Sequence, residues 1–281
     1  MLDKPKVMAF SLILFCAMQT AAWAAAPSNL KSNRVKISYV PPSNPAHQHI
    51  YEVLQERQVL ERMQGYLSPL RLPQTLFLKT AGCKGESNAW YEDTEHTVTV
   101  CYEYIDEVLR NAPDVTTAAG VTPQDAIVGP TIEVFFHEIG HAIFDLLKVP
   151  ILGREEDAAD QVASYGMLRL DKDIVHQTVA GVAYMYGHEM KSDTPGIEQF
   201  ADAHGVSAQR FYNLLCMAYG KDSKLFADLV EKKYLPESRA EGCADEYKQV
   251  DYAFKKLIYP YIDQAQVKKV QPKKLLRPAQ N

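Results

Sequence analysis

Three features of the sequence predict an α+β fold, mostly helical, with a small twisted sheet. The first is an apolar helical repeat over about residues 125–148, closed by Val149-Pro150 and Gly153. The second is a set of short β-prone runs, all before residue 102 and bounded by Pro, Gly and polar turns. The third is a second half, from about residue 154 to 265, with helical spacing and Gly/Pro breaks near 187, 195–196, 220 and 236. At 281 residues the chain can form one large domain or two small ones, and 47% hydrophobic against 23% charged residues supplies an ordinary core. The formal net charge of −5 is spread without a long block, which argues against a nucleic-acid partner. There is no internal repeat.

The N-terminus has the three parts of a secretory signal. Lys4 and Lys6 give a positive start, Met8 to Met18 is apolar but short for a membrane span, and Ala22-Trp23-Ala24 is an A-x-A cleavage pattern. Residues 1–24 are therefore expected to be removed, with cleavage after Ala26 as the second choice. The mature protein is expected in a bacterial periplasm or the medium, with no stable membrane insertion. Phe15 is too large for the usual lipobox before Cys16.

Residues 25–47, with Pro41, Pro42 and Pro45, read as a linker or arm, although the alternation of Val35, Ile37 and Tyr39 allows a short strand. The main domain is expected over residues 48–265. It begins with a helix at 48–66 and continues with a strand around Leu76-Phe77-Leu78. Asn88–Tyr91 and His96–Cys101 flank a turn at Glu92-Asp93 and read as a hairpin. A helix over Tyr102–Arg110, a loop from Pro113 to Pro123, the long helix and a further helix over 154–170 follow. Residues 266–281 carry Lys268, Lys269, Lys273, Lys274 and Arg277 and read as a basic flexible tail.

Removal of the signal leaves Cys83, Cys101, Cys216 and Cys243. An even count in an exported chain indicates two disulfides. Of three possible pairings, Cys83 with Cys101 and Cys216 with Cys243 close the two local loops and are preferred. No C-x-x-C pair is present to suggest a cysteine metal site.

The long helix holds the stretch FFHEIGHAIFDLL, residues 135–147. It is apolar on nearly every side, yet His137, Glu138 and His141 interrupt it. Burying such groups without partners costs a few kcal/mol, on the order of 2–7 for a neutral polar group in an apolar medium. His137 and His141, four apart, share one helix face and can place two imidazole nitrogens on one zinc ion. Glu138 stands beside that face and can take a proton from an activated water. A catalytic zinc usually takes a third protein ligand. Glu156 offers it, and Asp160, four residues on, can accept the other N–H of a ligand histidine. The adjacent acids Glu155, Glu156 and Asp157 also suit a helix N-terminus, an account that leaves Asp160 unexplained.

HEIGH followed by Glu156-Asp157-Ala158-Ala159-Asp160 resembles the gluzincin class of zinc metallopeptidases. More closely, the chain resembles a family of exported bacterial proteins grouped as metallopeptidases. That resemblance rests on Asn88-Ala89-Trp90-Tyr91, Cys101-Tyr102-Glu103, HEIGHAIFDLLKVPILGREEDAADQ and Gln209–Cys216, and covers most of residues 76–260. It implies a zincin-like domain that hydrolyses peptide bonds in a peptide or protein substrate. His137, His141 and Glu156 would bind zinc, Glu138 would be the base and Asp160 would orient a histidine. Asn88 and Ala89 are similar to the cleft-lining edge strand of thermolysin-like enzymes and are candidate substrate contacts. The class also implies a downstream histidine or tyrosine on the developing oxyanion. His204 is the first candidate, with Asp202 to orient it, and Tyr212 the second. Two rival expectations are an exported zinc-binding envelope protein without peptidase activity, and a peptide-binding module. The substrate and the oligomeric state are not specified by the sequence.

Overall fold

A computed structural model describes residues 30–192 and 195–268. The signal-like segment 1–24 and residues 269–281 of the basic tail lie outside them. The order is β1 (Val35–Tyr39), α1 (Gln48–Glu56), α2 (Val59–Leu67), β2 (Leu76–Ala81), β3 (Ala89–Glu92), β4 (Thr97–Cys101), α3 (Tyr102–Asn111), α4 (Pro123–Leu147), α5 (Glu155–Met167) and α6 (Lys172–Ser192). The short α7 (Ile197–Ala201), α8 (Ser207–Lys221), the one-turn α9 (Asp228–Glu231) and α10 (Glu237–Ala240), α11 (Cys243–Leu257) and α12 (Gln264–Val267) complete it. The fold is the mostly helical α+β arrangement that the sequence predicts.

The sheet has the order β1-β2-β4-β3, with β1, β2 and β4 parallel and β3 antiparallel to β4. β4 is buried along its whole length, as a central strand should be. The hairpin therefore forms as expected, and it leaves β3 as an edge. Within residues 25–47, expected as a linker or arm with a short strand allowed, that strand forms: Val35 to Tyr39 pair with Leu76 to Thr80 and add to the sheet. The prolines that suggested a linker follow the strand and do not interrupt its ladder. The expected helix at 48–66 is two helices, because Gln58 takes a left-handed conformation (φ 53°) between them. The expected break near residue 187 is also absent. Gly187 lies inside α6 opposite the Phe211 ring, and the helix runs on to Ser192 before Pro195.

α4 is the axis of the molecule. Thr122 and Asp125 form a reciprocal capping box at its start, with Pro123 in the first turn. Lys148 ends it in a left-handed conformation (φ 51°), with Pro150 two residues on. Nearly all of residues 129–147 are buried. α4 crosses α6 where Gly129 meets the backbone of Thr178 and Val182, and Gly181 meets the carbonyl of Asp125. It crosses α5 where Gly140 meets Ala159. Backbone contact at both crossings needs residues with little or no side chain. The expected disulfides are present: Cys83–Cys101 ties β4 to the loop before β3, and Cys216–Cys243 ties α8 to α11.

Candidate metal centre

The crossing of α4 and α5 brings the two motifs together. Ala159, against Gly140, lies between Glu156 and Asp160, so these carboxylates flank the point of closest approach. Glu156 Oε2 lies 3.0 Å from His137 Nε2 and 3.2 Å from His141 Nε2. The two Nε2 atoms are 3.3 Å apart. On their far sides, His137 Nδ1 is 2.9 Å from Asp160 Oδ1 and His141 Nδ1 is 2.8 Å from Glu155 Oε1. A carboxylate on Nδ1 fixes that nitrogen as the N–H donor and leaves the Nε2 lone pair pointing inward.

Two such lone pairs facing each other beside a carboxylate repel unless a cation or proton lies between them. Atoms bound about 2.0–2.1 Å from a tetrahedral ion are about 3.3 Å apart, close to the spacings of this triangle. The residues thus fit a small divalent metal ion. His204 approaches the same carboxylate, with Nε2 2.9 Å from Glu156 Oε2 and its ring stacked on His137 at 5.8 Å. His204, His137 and Glu156 can also be grouped as metal-ligating atoms.

Electrostatics follow from these contacts. Burial opposes a charge on His137, but its hydrogen bonds to Asp160 and Glu156 outweigh it and push the imidazole up to about 10. The same bond from His137 is the main cause holding Glu156 down, to about 2, against partial burial. Asp160 is held below the usual carboxylate range because His137 and Arg210 together overcome its burial. Glu138 goes the other way. Burial raises it, only partly offset by His137 and His141. A carboxylate whose pKa is raised is a stronger proton acceptor than a free one.

These residues open into a cavity of about 760 Å³ bounded on one side by β3. Asn88, Ala89, Trp90 and Tyr91 line it opposite His137, Glu138 and His141. The structure therefore places Asn88 and Ala89 at the cleft, at the start of β3, whose outer edge pairs with no other described strand. Tyr91 steadies this wall by donating to Asp145 near the end of α4, at 2.7 Å. His204 lines the cavity and is held by Asp202, which accepts from its backbone N–H at 2.8 Å and lies 3.1 Å from Nδ1. Tyr212, the second candidate, packs against Phe211 and is not among the residues lining the cleft: Arg210 takes the inward face of α8, and a residue two positions on is turned away from it.

Several residues at the site were not picked out from the sequence. Glu155, expected to serve only the helix dipole, accepts from His141. Glu133 is buried one turn before His137 and accepts from Tyr186 at 2.9 Å. Its signal was legible as one more acid in an apolar helix, four residues from a histidine. Tyr186 gave no local signal, and Arg210 stood only within the Gln209–Cys216 run of the resemblance with no role assigned, since their partners are distant in the chain.

The fold and the His/carboxylate centre define a helical α+β protein with a candidate metal site in a cleft. Over residues 39–258 the sequence matches DUF4344, a family described as "Putative metallopeptidase", and the chain belongs to that family. Searches of curated proteins and of solved structures find no match. No helix among the described residues is long and apolar enough to cross a membrane.

Proposed function

We propose that the protein is a zinc-dependent peptidase acting on peptide or protein chains, exported to the periplasm or the medium. The observation that carries this reading is the triangle of His137 Nε2, His141 Nε2 and Glu156 Oε2, with each imidazole backed by a carboxylate. A zinc ion held by those three residues would polarise the scissile carbonyl and lower the pKa of a water molecule towards neutrality. Asp160 and Glu155 hold the two imidazoles in the ligating tautomer. Glu138, raised by burial, takes a proton from the attacking water and returns it to the leaving amine. His204, oriented by Asp202, donates to the carbonyl oxygen as negative charge develops there. The open edge of β3 at Asn88 and Ala89 supports pairing with an extended substrate backbone. The apolar start at Met8–Met18, the A-x-A pattern and the two disulfides support export.

The test is Glu138→Gln. This variant keeps shape and removes the base, so it should bind about one zinc per chain and fail to hydrolyse unfolded protein substrates. Turnover near the wild-type rate would reject the mechanism. Zinc binding by the wild type with no hydrolysis of any substrate would favour the metal-binding envelope protein instead.

A further inference from the structure

Beneath the histidines lies a second polar cluster that the reaction does not use directly. Arg210, on α8, is its hub. Its Nε and Nη2 donate to the two oxygens of Asp160 at 2.8 and 2.6 Å. The same Nη2 is 3.5 Å from Glu133 Oε1. The guanidinium lies over the Tyr186 ring, 4.7 Å from its centre, and the Tyr186 hydroxyl donates to Glu133 at 2.9 Å. Glu133 and Tyr186 are only 5% and 3% exposed. The four side chains come from α4, α5, α6 and α8, so four helices meet at one guanidinium.

A single hydrogen bond leaves a carboxylate free to turn about its last torsion. A two-pronged grip from a planar guanidinium fixes the carboxylate plane, which a lysine ammonium cannot do. Asp160 Oδ1, held this way, is also the acceptor for His137 Nδ1. The plane set from α8 is thus passed to the His137 ring. Burial pushes the Glu133 carboxyl up, and Arg210 is the main influence opposing it. Without Arg210 these four positions would hold one buried acid, Glu133, and one part-buried acid, Asp160, with no guanidinium between them. We propose that Arg210 is a positioning residue for the metal centre. It orients His137 through Asp160 and also offsets the buried Glu133. The proposal rests on His137 being a zinc ligand.

The experiment compares Arg210→Gln, Arg210→Lys and the double variant Arg210→Gln/Glu133→Gln. Zinc affinity is measured by competition with a chromogenic chelator, and stability by denaturant unfolding of the chelated protein. Arg210→Gln should lose roughly 10–100-fold in zinc affinity, the scale for outer partners of a ligand histidine. Arg210→Lys keeps the charge but not the fork, and should recover stability more than affinity. The double variant leaves no uncompensated acid at position 133, so stability should return while zinc affinity stays low. Affinity that returns along with stability would make Arg210 a structural residue and overturn the proposal. So would wild-type affinity in a folded Arg210→Gln protein. Undiminished zinc binding by His137→Ala would instead overturn the ligand assignment, and the proposal with it.

Discussion

Gly140 sits between His137 and His141, and its replacement by alanine tests whether helix approach sets the metal centre. The added methyl would lie 3.2 Å from Ala159 Cα, 3.4 Å from its Cβ and 3.5 Å from its carbonyl oxygen. The shortest of these is inside ordinary carbon–carbon contact of about 3.5–4.0 Å, so α5 must retreat by roughly 0.3–0.5 Å. Glu156 and Asp160 ride on α5 and would be drawn from His137, which they now meet at 3.0 and 2.9 Å. Overpacking a core costs about 1–3 kcal/mol. Replacing a helical glycine by alanine returns about 0.5–1 kcal/mol. The net loss of stability should therefore be about 0–2.5 kcal/mol. Zinc affinity should fall by roughly tenfold or more, since both carboxylates shift together. Chelator competition reads the affinity, and urea unfolding of the chelated protein reads the stability. A Gly140→Ala protein with wild-type zinc affinity would refute the argument that this close approach sets the site.

His204→Ala should keep zinc binding and lower kcat by roughly 10–1000-fold, the scale of one oxyanion donor. Tyr212→Phe should leave kcat unchanged. The reverse pattern in steady-state kinetics would return the role to the tyrosine. Glu103 gives a pH test away from the candidate metal centre. Its carboxylate accepts from the backbone N–H of Cys83 at 2.9–3.0 Å and of Gly85 at 2.9 Å. Burial raises this carboxyl, but those amides outweigh it and leave it below the usual glutamate value. A carboxylate depressed in the folded state stabilises above its unfolded pKa of about 4.3, and that stability is lost as pH falls through the folded value. Glu103→Gln should cost about 1–2 kcal/mol near pH 7 and progressively less below pH ~4, seen as converging denaturant midpoints. A constant gap down to pH ~3 would contradict it.

The centre of the site was legible because its signal is local. His137, Glu138 and His141 interrupt an apolar helix, and Glu156 and Asp160 repeat their spacing one loop later. Burial turns such interruptions into a demand for partners, and the structure meets that demand for His137 and His141. Glu133 carried the same signal. Arg210 could not be read in this way, because its value lies in meeting Asp160 and Glu133 from 50 and 77 positions away. The fold was legible to a similar depth. The hairpin follows from two β-prone runs around a polar turn, and α4 from its apolar helical repeat and the Pro/Gly stop after it. β1 was obscured by the prolines that follow it, and the continuity of α6 through Gly181 and Gly187 depends on helices and rings packed against those glycines.

The cluster around Arg210 also bears on the order in which the protein matures. Its members are residues 133, 160, 186 and 210, so one link in the support of His137 arrives only with α8. A chain made from its N-terminus presents both histidines and Glu156 well before that support exists. Contacts so far apart in sequence also form slowly, since long loops must close first. A nascent chain stopped short of residue 210 thus has the candidate ligands without the brace that aligns them. On the proposed reading, metal capture in its final geometry would wait until α8 has docked.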